Sequence, residues 1–215
     1  MADLISDRLE VDDDFEAVQE LYRERGWTDG LPIVPPTTER VEAMLAATPL
    51  NPQDIIGEIP PNWGSATVEK LAVNAVMAGC KPEYLPIIIA TVEAMCDEVF
   101  NLYAIQATTH PCAPLIIVNG PICDELGLHG GSGAYGPGWQ PNATIGRAVR
   151  LAQLNVGGAR PGVGDMSTQG APSKYTYCVA ENEEANPWEA LHIERGFRAD
   201  QSTVTVLAGE PPHNI

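Results

Sequence analysis

The sequence predicts an α+β fold in which N-terminal helices pack on a mixed sheet and the connections are rich in glycine and proline. Apolar residues at helical spacing dominate the first half of the chain, whereas strand-like runs gather in the second half. The composition, 44% hydrophobic and 19% charged residues, is typical of a packed globular domain rather than a disordered chain. Because no stretch in the middle of the chain resembles a linker, we expect one domain over residues 1–215.

Helices are predicted in the first half from apolar spacing, from acidic or hydroxyl caps, and from glycine or proline at their ends. They are expected at residues 13–25, from a cap at Thr37 or Thr38 to Pro49, at 66–78 with Gly79 as C-cap, and at 82–97. The last two would form a hairpin with Cys80 near its corner. The proline-rich segment that ends at Gly64 has too little periodicity for an assignment.

Four strand-like runs are predicted after the helical half of the chain. They cover residues 102–107, 115–118, 175–180 and 203–208. The loop at 108–114 would connect the first two strands. A stretch with six glycines at 127–141 precedes a further helix at 142–154.

Charge and cysteine usage restrict the classes of partner. The formal net charge of −17 would repel phosphate backbones, so we expect no binding to nucleic acid. No apolar run approaches the roughly 20 residues that span a bilayer, and the acidic N-terminus lacks the features of a secretory signal, so we expect a cytoplasmic protein that does not enter the membrane. The five cysteines are odd in number and form no Cys-x-x-Cys pair, which favours reduced thiols over disulfides or a structural zinc site.

Cys80 is the first candidate catalytic residue. It follows a predicted helix C-cap, and Lys81 stands beside it. A neighbouring cation and the start of the next helix would both lower the pKa of the thiol and so favour the nucleophilic thiolate. The alternative is that Cys80 is a small packed hydrophobe beside Gly79.

The loop at residues 108–112 brings two hydroxyls, an imidazole and a thiol together in sequence. Thr108, Thr109 and His110 are therefore candidate catalytic residues, with His110 as general acid or base because the ordinary pKa of histidine lies near neutrality. Cys112 is assigned to packing. The alternative for His110 is a hydrogen bond to local backbone.

A candidate substrate-binding region surrounds the glycine-rich stretch and the helix that it opens. Free N–H groups at a helix start, with Arg147 one turn in, would form a cradle for a carboxylate or a phosphate. The stretch is neither a Walker loop nor a Rossmann fingerprint, and the alternative is a flexible or tightly packed loop. The candidate binding residues are Asn119, Ser132, Gly133, Gly136, Gly138, Trp139, Asn142, Thr144 and Arg147.

An acidic segment follows the predicted strand at 175–180. Glu181, Glu183, Glu184 and His192 could hold a hard divalent metal ion through oxygen ligands. Their spacing matches no standard metal site, so an exposed acidic turn is the favoured interpretation and no metal ligand is assigned.

Five segments of the chain together resemble a bacterial family without an assigned reaction, which is similar to the larger partner of the UGSC-motif thiol or selenoproteins. These segments are residues 27–32, 73–84, 107–114, 117–121 and 133–147. The resemblance runs from about Trp27 to the end of the chain, and the family pattern continues beyond Ile215. The chain would then be a short form, one half of a split protein, or a fragment.

The resemblance implies a small partner subunit that carries a redox-active cysteine or selenocysteine. It implies reductive or thiol-mediated chemistry on a small molecule, distantly like that of the glycine and proline reductases. No UGSC motif occurs in this chain, so the second thiol would come from the partner. We also expect the chain to form an oligomer.

Three functions stay open at this point. The first is a subunit of a thiol-dependent enzyme, an oxidoreductase or lyase, in which Cys80 is the nucleophile or redox thiol, His110 transfers protons and the substrate is a small anionic organic molecule. The second is a metal-dependent hydrolase, hydratase or lyase. The third is a non-catalytic partner or scaffold subunit of a redox complex. The sequence does not specify a cofactor.

Overall fold

The computed structural model describes residues 4–212 and confirms the predicted α+β fold. The helices are α1 (Phe15–Glu24), α2 (Thr38–Leu45), α3 (Val68–Ala78), α4 (Leu85–Cys96), α5 (Leu102–Ala107), α6 (Ile122–Leu126), α7 (Gln140–Asn155) and α8 (Leu191–Glu194). The strands are β1 (Ile55–Ile59), β2 (Gly64–Thr67), β3 (Ala113–Asn119), β4 (Cys178–Ala180) and β5 (Thr203–Gly209). Short 3-10 turns occupy Pro82–Tyr84, Glu98–Phe100 and Pro172–Lys174. None of the helices in this described range is long and apolar enough to cross a membrane.

Polar side chains cap three helices of the first half, and of these caps the sequence predicts the one at Thr37. Asp14 Oδ1 accepts a hydrogen bond from the backbone N–H of Ala17, and Thr67 Oγ1 accepts one from the backbone N–H of Lys70. Thr37 has the same role at the start of α2. Each cap satisfies an N–H group that the first turn of a helix leaves without an intrahelical partner.

The hairpin of α3 and α4 is confirmed, with Gly79 at its corner. Gly79 adopts a left-handed conformation, φ 87°, which glycine reaches without the steric cost of a Cβ. Its N–H donates to the carbonyl of Val76, and the N–H of Cys80 donates to the carbonyl of Ala75. These two bonds close the last turn of α3 and place Cys80 directly after it.

The main sheet is mixed, as predicted, with strand order β4-β3-β5. β3 pairs in parallel with β4 and in antiparallel fashion with β5, from Ala113 opposite Gly209 to Asn119 opposite Thr203. β3 is therefore the central strand, and nearly all of its residues are buried. Helix α4 packs against β5, and α7 packs against β4. A separate antiparallel hairpin, β1-β2, lies at the end of the segment that sequence left without an assignment.

The prediction of a strand at residues 102–107 is wrong, because these residues form α5. The side chain of Asn101 accepts a hydrogen bond from the N–H of Ala104 and so caps the start of this helix. Leu102 and Ile105 are both buried and lie one turn apart. A short apolar run fits either a strand or a buried helical turn, and here the cap decides between them. The loop at 108–112 thus connects a helix, rather than a strand, to β3.

The predicted strand at 175–180 is confirmed only for Cys178–Ala180. The 3-10 turn Pro172–Lys174 takes up the preceding chain, and the N–H of Tyr175 donates to the carbonyl of Pro172. This turn brings Ser173 and Lys174 beside the first residues of β3.

Helix α7 runs through the core against α3 and lies close to the backbone that leads into β4. The approach is tight at Gly146, where an added Cβ would lie 2.6 Å from the backbone nitrogen of Tyr177. Two heavy atoms at that distance overlap sterically, so a residue with a side chain does not fit without moving the backbone.

The substitution Gly146→Ala tests this close packing. Alanine favours a helix over glycine by about 1 kcal/mol, but overpacking a core costs about 1–3 kcal/mol, so we expect the free energy of unfolding to fall by about 1 kcal/mol. Urea denaturation followed by far-UV circular dichroism measures the change. Ala143→Gly, at an exposed position of the same helix, calibrates the propensity contribution alone. A Gly146→Ala variant more stable than the parent would contradict the tight approach.

Candidate functional site

Cys80 directly follows the C-cap of α3, as the sequence predicts, and burial disfavours its thiolate. The residue is half-buried and packs against the main hydrophobic core. Its Sγ donates to the backbone carbonyl of Thr144 at 3.2 Å. Burial is the largest influence and raises the pKa of Cys80 to about 12, while the hydrogen bond with Thr144 and the charge of Arg147 lower it by less. The pKa of the thiol is thus raised and not lowered as the sequence predicts, because the effect of burial exceeds those of Thr144 and Arg147.

Three further thiols are disfavoured as thiolates for the same reason. Burial raises the pKa of Cys96 to about 11 and that of Cys123 to about 12, and nearby carboxylates add to both effects. Burial also raises the pKa of Cys178, which lies inside the sheet. These three residues and Cys80 are therefore protonated at neutral pH.

His110 lies on the exposed loop before β3 and is held by its neighbours. Its Nδ1 is 2.6 Å from Oε1 of Glu210, and its backbone N–H donates to Oγ1 of Thr108. Thr109 accepts a hydrogen bond from the N–H of Thr168 through its carbonyl. Among the hydrogen bonds and ion pairs of residues 4–212, none joins His110 to Cys80. Thr108 and His110 therefore contact each other, whereas Cys80 contacts Thr144.

The glycine-rich stretch is a largely exposed loop that side-chain hydrogen bonds and one ring stack hold in place. Asn142 clamps it, because its side chain accepts from the N–H of His129 and donates to the carbonyls of His129 and Ala134. The ring of His129 stacks on Trp139 with centroids 3.8 Å apart, and its Nε2 contacts the carbonyl of Ser132. Three of the predicted binding residues thus hold the loop itself together.

The other predicted binding residues of this region also have local roles. Gly133 and Gly138 adopt left-handed conformations in the loop, and the N–H of Gly136 donates to the carbonyl of Gly133. Thr144 Oγ1 donates to the carbonyl of Gln140, one turn earlier in α7. The turn conformation and the helix account for these four residues without a ligand.

Arg147 joins α7 to the turn at residues 27–32. Its Nε and Nη2 donate to the two carboxylate oxygens of Asp29 at 2.8 and 2.9 Å, and Nη2 also donates to the carbonyl of Pro32. The carboxylate of Asp29 is only 4% exposed. This paired geometry is the strong form of an arginine–carboxylate contact, so the guanidinium holds the turn at residues 27–32 against α7.

Asn119 and the acidic segment form one hydrogen-bonded connection at the end of β3. The side-chain amide of Asn119 donates to Glu181 and to Glu183, and the N–H of Gly120 donates to Glu183 at 2.8 Å. His192 is buried, with Nδ1 3.7 Å from Oε1 of Glu183. Within the described part of the chain, no group of three or more His, Cys, Asp or Glu residues is arranged to hold a metal ion.

A small cavity that was not among the predicted sites lies where α5, β3, α7 and the 3-10 turn Pro172–Lys174 meet. We call it the basic cavity. It is narrow and partly enclosed. Its walls are Ile105, Gln106, Cys112, Ala113, Pro114, Gly146, Val149, Arg150, Gln153, Ser173, Lys174 and Tyr177.

Two cations of the basic cavity share one carboxylate. Lys174 Nζ lies 3.0 and 3.1 Å from the carboxylate oxygens of Asp165, and Arg150 Nη2 lies 3.2 Å from Oδ2 of the same residue. Asp165 is 4% exposed, and each cation is 12% exposed. Burial lowers the pKa of Arg150 and the charge of Asp165 opposes that effect, but a guanidinium keeps its proton at neutral pH. The cluster therefore carries one positive charge in excess.

Two buried polar atoms of the cavity wall have no hydrogen-bond partner in the described structure. The side chain of Gln106 donates through Nε2 to the carbonyl of Pro60 at 2.6 Å, while its Oε1 is unpaired. Oγ of Ser173 is also unpaired. Most buried polar atoms are paired, so such orphans in a cavity indicate a place where a ligand or water binds.

The sequence contains one signal for this cavity. Gly146, Arg150 and Gln153 follow one another at spacings of four and three, so they lie on one face of α7. Arg150 and Gln153 are polar residues on the face of α7 that otherwise packs apolar side chains, so they predict a polar cavity against that face. Asp165 and Lys174 lie in an irregular segment, and no pattern there indicates their convergence.

The chain matches no protein-family model, and comparisons with curated proteins and with solved structures also find no match. The resemblance to the larger partner of the UGSC-motif proteins therefore stays a prediction.

The substitution Asp29→Asn tests whether Arg147 is a structural residue. It leaves the guanidinium without its carboxylate in a largely buried place, so we expect the free energy of unfolding to fall by about 3 kcal/mol in urea denaturation. Asp200→Asn, in an Arg198–Asp200 pair in which both side chains are 71% exposed, is the control and should change it by less than about 0.5 kcal/mol. Equal effects of the two substitutions would contradict the structural role.

Proposed function

We propose that this chain is a subunit of a thiol-dependent enzyme that acts on a small anionic organic molecule, and that the molecule binds in the basic cavity. The excess positive charge around Asp165 carries the proposal. A buried charge without a counterion is costly, and a ligand carboxylate would supply the missing negative charge. The strongly negative charge of the whole chain makes a locally positive cavity more selective, because anions are repelled elsewhere on the surface.

Cys112 is the thiol that we assign to this site in place of Cys80. It lines the basic cavity, and its carbonyl accepts a hydrogen bond from Lys174 Nζ at 2.9 Å. Reactive cysteines are partly exposed and have cations nearby, and Cys112 is half-buried and lines the same cavity as Lys174 and Arg150. Burial raises the pKa of each of the four other thiols. The assignment of Cys112 to packing is therefore replaced by a role as nucleophile or redox thiol.

His110 is the proton-transfer group that we propose for the rim of the site. The contact of Nδ1 with Glu210 favours the tautomer in which Nδ1 carries the proton and Nε2 accepts one. Glu210 is in turn linked to the cavity wall, because its carbonyl accepts a hydrogen bond from the hydroxyl of Tyr177 at 2.9 Å. This contact ties the imidazole to the wall of the cavity that Cys112 lines.

The redox form of this chemistry needs a second sulfur or selenium atom. We propose that it comes from a small thiol or selenoprotein partner, as the family resemblance implies, in an oligomeric complex. The five cysteines of the chain are free, which suits the reducing cytoplasm that we propose as its location.

Alkylation with a charged and a neutral reagent tests the site. Iodoacetate and iodoacetamide both transfer a CH2 group to a thiolate sulfur with loss of iodide, but only iodoacetate carries a carboxylate. We expect Cys112 to react before the other four cysteines, and to react faster with iodoacetate than with iodoacetamide because the cavity attracts the anion. Peptide mass spectrometry over a time course at neutral pH gives both rates.

Removing the charge of Arg150 shows whether Cys112 reacts with iodoacetate because of charge attraction or only because the thiol is exposed. In Arg150→Gln we expect the iodoacetate rate at Cys112 to fall by about tenfold, equivalent to about 1.4 kcal/mol of lost attraction, with the iodoacetamide rate nearly unchanged. Arg198→Gln removes an exposed arginine and should leave both rates unchanged. Earlier modification of Cys80, or the same preference for iodoacetate in Arg150→Gln as in the parent, would contradict the proposal.

A further inference from the structure

The unpaired atoms of the basic cavity indicate which class of anion it takes. We infer that the ligand is a small 2-hydroxycarboxylate, a molecule with a hydroxyl on the carbon next to its carboxylate. This inference rests on the proposed function, because it concerns the same cavity. It follows from three properties of the wall: free donors on Arg150, a fixed acceptor on Gln106, and a charge balance that a neutral molecule does not restore.

The carboxylate end is recognised by Arg150. Nη2 of this residue serves Asp165 and the carbonyl of Ala159, whereas Nε and Nη1 have no hydrogen-bond partner among the contacts of residues 4–212. A guanidinium presents its N–H groups in a fixed planar fork that suits the two oxygens of a carboxylate. Lys174 is less available, because its Nζ already contacts Asp165 and the carbonyl of Cys112.

The hydroxyl is recognised by Gln106. The bond from Nε2 to Pro60 prevents the amide from turning over, so the buried atom that lacks a partner is an acceptor, Oε1. An acceptor needs a donor from the ligand, and a carboxylate alone has none at neutral pH. The hydroxyl of Ser173 can either donate or accept, and a ligand hydroxyl serves both residues.

The ligand group that donates to Gln106 is a hydroxyl and not an amine, because of the charge of the cavity. A 2-amino acid is a zwitterion, so it would leave the excess positive charge of Arg150 and Lys174 without a counterion and would bring an ammonium group toward both. A 2-hydroxycarboxylate carries one negative charge and balances the cluster. The cavity is narrow, so the ligand is expected to be small.

Isothermal titration of the full chain with four small molecules tests the inference. Glycolate has both groups, acetate lacks the hydroxyl, glycine replaces the hydroxyl with an ammonium, and glycolamide lacks the negative charge. We expect glycolate to bind about tenfold more tightly than acetate, because acetate leaves the buried acceptor unpaired. Glycine and glycolamide should bind more weakly still.

Two variants test whether Gln106 and Ser173 cause the preference for glycolate over acetate. Ser173→Ala and Gln106→Leu should each reduce the ratio of glycolate to acetate affinity toward one, while acetate affinity stays nearly constant. Gln106→Leu also loses the hydrogen bond to Pro60, and circular dichroism shows whether this variant still folds. If it does not, Ser173→Ala alone decides the test. Equal binding of glycolate and acetate by the parent chain, or tighter binding of glycine, would overturn the inference.

Failure of the inference is distinguishable from failure of the proposed function. If glycolate and acetate bind equally while Cys112 still prefers iodoacetate, the inference of a hydroxyl on the ligand fails and the proposal of an anion site survives. If none of the carboxylates binds and Arg150→Gln does not change alkylation, the inference and the proposed function both fail.

Discussion

A single buried carboxylate, that of Asp165, organises the part of the molecule that we assign to function. It accepts hydrogen bonds from Lys174 and pairs with Arg150, so it connects the segment after α7, the 3-10 turn before β4 and α7 itself. Two cations brought together without it would repel each other in a medium that screens charge poorly. With it, the cluster is stable and still has one positive charge in excess. In the site that we propose, this excess charge would meet an anion without rearrangement of the cluster.

The contacts that position this cluster are distant from it in sequence. Asp29 fixes the rotation of α7 through Arg147, and Arg150 follows three residues later, close to one helical turn away. Gly146 lets the same helix approach the backbone before β4, which brings the 3-10 turn with Lys174 against it. The position of the guanidinium of Arg150 therefore depends on an arginine, a glycine and an aspartate that do not themselves need to touch a ligand. These residues position the site.

Local patterns in the sequence predict much of the fold and little of the site. Gly79, the cap at Thr37, and the spacing of apolar residues in α1, α2 and α3 act over a few residues, so the sequence predicts them. Helix α5 is not predicted, because the apolar run Leu102–Ala107 fits a strand as well as a helix. Its N-cap, Asn101, has a left-handed backbone conformation that the sequence does not indicate. Cys80 and Arg147 are plausible site residues from their neighbours in sequence alone. Their pKa and partners depend on burial and on residues far along the chain, which no local pattern contains.

The central claim is that the basic cavity holds an anion against Arg150. The most direct measurement is the anomalous scattering of a crystal of the full chain soaked in bromide. The account predicts a bromide peak inside the cavity, within hydrogen-bond distance of the guanidinium and beside the ammonium group of Lys174. Bromide peaks on the surface with none in the cavity would contradict it.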